Sequence, residues 1–273
     1  MKLPLVVTAA AGIANAASLP PGSADITVRA LPDALDGYTR KEVASPSAKP
    51  PIRDANRLSG HETEWLKVRR KATLSPMKEL LGRLGLGDFD ASAYLDKHSS
   101  NIDNIPNIAV GLSGGAYRAM TKGAGALKAF DVRTKNATET GHLGGLLQSS
   151  TYKKIIDQVR SKSGAGFNTS FTDYWSRFLS FQLINSTTDD GGASFTWSSI
   201  ADIDDFKAGQ YPLPMVVMDG RNSGEMIIET NATAYEVTPW EFGSWDPTVY
   251  AFAPLKYLGT KYLIHSRRQC LRY

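Results

Sequence analysis

Apolar residues recur at helical spacing between residues 59 and 86. Ser59 precedes Glu62 by three positions, the pattern of an N-cap with a capping box. The helix it opens is predicted to run through Trp65, Leu66 and Val68 to about Ala72. A second helix is predicted over 74–86, with Pro76 in its first turn, where its missing N–H would be unpaired anyway. Met77, Leu80, Leu81 and Leu84 then face the core. Further on, the apolar run Ile108-Ala109-Val110 reads as a strand entering a glycine turn at 111–118, and 119–130 reads as the helix leaving it. Residues 152–159 form an amphipathic helix with Ile155, Ile156 and Val159 inward. Residues 171–183 form an aromatic helix with Tyr174, Trp175, Phe178 and Leu179 on one side. Two short strands are predicted, 214–218 ending at Asp219-Gly220, and 235–238. Helices alternating with short apolar strands predict an α/β architecture.

Composition adds little to the fold but places the chain. It has 273 residues, 42% hydrophobic and 21% charged, an ordinary globular balance. The net charge of +4 is mild, and no basic stripe with interleaved aromatics supports nucleic acid as a partner. Residues 1–16 read as a secretory signal: Lys2, an apolar stretch, then Ala14-Asn15-Ala16 as a small-x-small cleavage site. Four N-x-S/T sequons follow, at Asn136, Asn168, Asn185 and Asn231, which fits a secreted glycoprotein. Residues 18–60 are rich in Pro and Ser and read as an extended lead-in over the domain surface. The single cysteine, Cys270, leaves no disulfide within the chain. No metal motif, P-loop or dinucleotide fingerprint is present, so no metal and no cofactor is expected.

The candidate chemistry sits in the glycine turn. Gly111-x-Ser113-x-Gly115 fits the nucleophile-elbow pattern of serine hydrolases, and fits a plain tight turn as well. Backbone N–H groups of Gly114, Gly115 and Ala116 at a helix start can meet a developing oxyanion. Arg118 can pair with a phosphate or carboxylate oxygen. A nucleophile at Ser113 needs a base, and none of His61, His98, His142 and His265 sits in a triad motif. Asp219, at a strand end, is the fallback partner for Ser113 and also reads as a turn residue.

The block Ser113-Gly114-Gly115-Ala116-Tyr117-Arg118-Ala119-Met120, with Gly123 to Leu127 after it, resembles the first block of the fungal lysophospholipases (phospholipase B). These are relatives of the patatin-like catalytic domain of cytosolic phospholipase A2. Other stretches agree in order: Asp36-Gly37-Tyr38, Gly144 to Gln148, Gly166 to Ser170, Thr172 to Trp175, Pro214 to Arg221 and Thr238 to Asp246. The resemblance implies an α/β fold with flanking helices, and hydrolysis of (lyso)glycerophospholipid acyl esters by a Ser–Asp dyad without metal, at a membrane or micelle surface. It gives Gly114, Gly115 and Ala116 the oxyanion hole and Arg118 the phosphate, with Ala116 in place of the family's third glycine. It also implies a gap. The family's G-L-S-G-G-x-W elbow, which carries its nucleophile, has no counterpart, because Tyr152 runs straight into Lys153-Lys154-Ile155-Ile156. The late D-G-G block with the catalytic Asp has none either. The chain thus reads as a signal at 1–16, a partial catalytic domain at 17–260 and a basic tail outside the family at 261–273. Loss of the elbow's strand and helix is expected to uncover apolar surface and to leave activity absent or very low.

Overall fold

The computed structural model describes residues 37–39, 46–130, 149–184, 189–222 and 224–258. The signal segment, Asn136, Asn185, the turn at 144–148, Cys270 and the tail at 261–273 lie outside the described residues.

Among the described residues five short strands form one antiparallel sheet: β1 (Arg53–Asp54), β2 (Val216–Asp219), β3 (Ala234–Val237), β4 (Glu241–Ser244) and β5 (Ala251–Pro254), in the order β1-β5-β4-β3-β2. The expected strands at 214–218 and 235–238 correspond to β2 and β3, which pair with Val216 opposite Val237 and Asp219 opposite Ala234. The first strand comes from the Pro-rich lead-in, paired through Arg53 opposite Phe252. Arg53 and Asp54, near the end of that stretch, are therefore part of the sheet.

Among the described residues six α-helices accompany the sheet: α1 (Gly60–Arg83), α2 (Ala91–His98), α3 (Ala116–Phe130), α4 (Ser149–Gly164), α5 (Phe171–Leu183) and the single turn α6 (Asp204–Lys207). The Ser59 hydroxyl accepts from the Glu62 N–H at 3.0 Å, the cap expected from sequence. The two helices expected over 59–86 are one. Pro76 lies inside α1 rather than in a first turn. A proline lacks an N–H and crowds the carbonyl four residues back, yet packing on both sides of the break holds the helix together. Trp65 on the first half and Met77 on the second are both 6% exposed. Leu84, expected inward, is the C-cap residue and is 60% exposed, because the helix ends before its side chain reaches a partner.

Two apolar clusters result. Trp65 stacks on Phe206 with ring centroids 5.1 Å apart, beside Ile200, Ile203 and Trp240, and its indole N–H donates to the Phe206 carbonyl at 2.7 Å. Met77, Leu95 and Ile105 form the second cluster, which joins α1 to α2. The pair α4–α5 packs separately. Ile155 and Val159 are buried as expected, whereas Ile156 is 38% exposed. On α5 the expected aromatic side is not the buried one. Asp173 and Arg177, four residues apart on one face, are buried, while Trp175 is 40% exposed.

Candidate functional site

The glycine turn precedes α3, as expected, but the strand expected before it is reduced to a single β-bridge at Leu112. Ser113, Gly114, Gly115 and Arg118 are all exposed. Gly115 has φ +144, and a Cβ there would lie 3.0 Å from the Ala119 Cβ, so glycine is required. Ala116 is the first helical residue. The strained backbone thus falls on Gly115, and the alanine that replaces the family's third glycine opens the helix. Within the described residues the N–H groups of Gly114 and Gly115 donate to no backbone carbonyl, and they lie at the positive end of a 15-residue helix. This is an arrangement that can receive an oxyanion or phosphate oxygen.

Two contacts fix α3. The Tyr117 hydroxyl donates to the Gln182 side-chain oxygen at 2.7 Å, and its ring meets Trp175 edge-on at 5.8 Å, both on α5. Gly123 is packed so closely under Leu112 that a Cβ would approach the leucine Cδ1 to 2.8 Å. Arg118, one residue after Tyr117, has an exposed side chain that forms no ion pair among the described residues. Ser113 and Asp219 are both described and exposed, and no hydrogen bond joins them. Among the described residues no group of His, Cys, Asp and Glu is arranged to hold a metal ion.

Sequence reasoning missed two buried polar centres. In the first, the Asp173 carboxylate accepts from the Tyr38 hydroxyl at 2.7 Å, from Lys162 and from the Ser170 N–H at 2.9 Å. Lys162 first, then Tyr38 and Ser170, hold the Asp173 carboxyl down at about 2. Beside it, Arg177 donates to Gln158 at 2.8 Å and to the Asp190 carbonyl, and lies 5.0 Å from the Tyr38 ring. A cleft of about 530 Å³ opens here, with Asn168 on its rim. The Ser170-x-x-Asp173 capping pair was legible as a local signal; its link to Tyr38, 135 residues earlier, was not.

In the second centre, Arg53 on β1 clasps Glu241 on β4 through Nε and Nη2, at 2.9 and 2.7 Å, and lies 4.5 Å over the Phe252 ring. The Trp245 indole N–H donates to Glu236 at 3.2 Å. Glu62 completes the group from α1, and burial, with Glu236 and Glu241 near it, pushes its carboxyl up to about 7. A groove of about 930 Å³ lined by Arg57, His61, Trp65 and Trp240 lies alongside. Neither this groove nor the smaller cleft includes the glycine turn.

Helices with a glycine turn feeding one of them, beside a short sheet, belong to a known architecture. A human GIVD cytosolic phospholipase A2 structure superposes with a TM-score of 0.51 over 77% of this chain and 30% of that one, at 17% identity. The fold is that of the α/β phospholipases. The model of the lysophospholipase catalytic domain family matches residues 108–154 and 150–271, and the chain belongs to that family. Lysophospholipase 3 of Aspergillus fumigatus is 46% identical over 320 positions, which take in 96% of this chain and 50% of that protein. Lysophospholipase 1 of the same species is 42% identical over 336 positions, with all of this chain and 53% of that protein. The chain therefore spans about half the length of the curated relatives it matches.

The form of these matches bears on the gap. The 336 positions of the second alignment hold the 273 residues of this chain, so 63 positions have no residue here. The two matched stretches of the family model meet at 150–154. That is the junction where Tyr152 runs into Lys153. The second stretch also reaches residue 271, into the segment read as a basic tail.

Proposed function

We propose that this chain is a secreted lysophospholipase (phospholipase B) that takes acyl esters of (lyso)glycerophospholipids at a membrane or micelle surface. The observation that carries this reading is the glycine turn at the start of α3, whose Gly114 and Gly115 N–H groups donate to no backbone carbonyl among the described residues, within the first stretch matched by the lysophospholipase family. Gly114, Gly115 and Ala116 supply the oxyanion hole, and Arg118 holds the phosphate. Ser113 shapes the turn. Secretion rests on the signal pattern of residues 1–16, and N-glycosylation on Asn136, Asn168, Asn185 and Asn231. Asn168 and Asn231 are exposed, as attachment requires.

The glycine turn carries the cradle, and the family's nucleophile elbow has no counterpart where Tyr152 runs straight into Lys153. The chain is expected to bind substrate with little or no turnover. Fatty-acid release from lysophosphatidylcholine, measured beside the Arg118→Ala and Ser113→Ala variants, tests this. Binding of lysophosphatidylcholine micelles that Arg118→Ala weakens, with release at background, is the expected result. Robust release that Ser113→Ala abolishes would instead assign the chemistry to Ser113 with Asp219.

A further inference from the structure

Ring contacts on α4 and α5 connect into one row. Phe171 stacks on Trp175 at 6.3 Å, and both lie on one face of α5 with Phe178. Tyr152, in the first turn of α4, meets Phe178 edge-on at 5.4 Å. Tyr117, two residues beyond Gly115, meets Trp175. The row thus runs from the start of α4 to the start of α3, and much of it faces solvent. Phe171 is 76% exposed, and Tyr152 and Trp175 are about two-fifths exposed, with Ile156 beside them on α4. A continuous exposed aromatic surface of this kind marks an interaction site.

The position of the row says what covers it. One end is Tyr152, inside the 150–154 junction where the two matched stretches of the family model meet. The other end is the glycine turn, whose incoming segment has a single bridge where a strand was expected, with Ile108 53% exposed. A segment inserted at the junction would start beside Tyr152, at one end of the row. We propose that this aromatic row is a preformed seat for that segment, and that the chain binds it when it is supplied as a separate polypeptide. The inference rests on family membership and on exposure, and stands apart from whether the chain hydrolyses esters.

The test uses the full chain and a synthetic polypeptide spanning the residues of Aspergillus fumigatus lysophospholipase 1 that align between positions 150 and 154. Tryptophan fluorescence and sedimentation velocity are the readouts. A saturable one-to-one complex of micromolar affinity or better is expected. Phe171→Ser combined with Trp175→Ser is expected to weaken it at least about tenfold. Met226→Ser with Ile227→Ser, on an exposed apolar loop between β2 and β3, is expected to leave it unchanged. Circular dichroism checks that both variants keep the helical content of the parent chain. Absence of a complex, or equal weakening by both variants, overturns the proposal. So does a homodimer of the chain that the α5 variant dissociates, since the row would then be the seat of a second copy.

Discussion

Phe206 and Phe171 are the same residue on helices of one chain, yet the first is 1% exposed and the second 76%. Phe206 lies between Trp65 on α1 and Trp240 before β4, with ring centroids 5.1 and 5.6 Å away. Phe171 has Trp175 on one side and solvent on the other. The unit formed by α1, α6 and the sheet draws its partners from residues far apart in sequence, and all of them are in the chain. The glycine-turn unit of α3, α4 and α5 holds together through ring contacts and a polar clamp, and much of its aromatic row is exposed. The difference teaches that a helix amphipathic in sequence buries its apolar side only when the covering element exists.

Truncation should break the contrast most sharply. Phe206→Ala is expected to cost about 3–5 kcal/mol in denaturant unfolding, and Phe171→Ala within about 0.5 kcal/mol. Equal losses would show that the exposed row is packed in solution.

The next effect separates the two polar centres by pH. Glu62 has a folded value of about 7, above its ordinary 4.5, so the folded state retains the proton longer. Its contribution is full below 4.5 and is lost as pH rises through 7, on the order of 3 kcal/mol in all. Glu62→Gln should flatten that slope and stabilise the protein at pH 8, as read from unfolding free energies across the range. Asp173 has the opposite sign. Its folded value of about 2 lies below 3.8, so its contribution is present above 3.8 and is lost as pH falls through 2. Asp173→Asn is expected to cost about 2 kcal/mol at neutral pH and to converge on the parent near pH 2.

The smallest test lies within α3. Gly115→Ala is expected to lose about 1–2 kcal/mol, because its φ and the Ala119 Cβ both oppose a side chain. Gly125→Ala, where a Cβ meets nothing within 4 Å, is expected to gain up to about 1 kcal/mol. A gain at both positions would mean that the turn is not held in this conformation.

Local signals were legible in the sequence to the extent that local physics decides them. The Ser59 cap, the helix after the glycine turn, the inward Ile155 and Val159, and the strands β2 and β3 follow from capping groups and apolar periodicity within a few residues. So did the family, whose blocks lie in order along the chain, and the junction at residue 152. The tertiary structure alone decided the rest. Packing by two separate clusters carries α1 through Pro76 against the proline's local preference. Asp173 and Arg177 take the inner face of α5 because Tyr38, Lys162, Gln158 and the Asp190 carbonyl satisfy them there, and all four lie more than ten residues away on other segments. Burial of a charge depends on partners that periodicity cannot see, and among the described residues so does the exposure of Phe171 and Trp175.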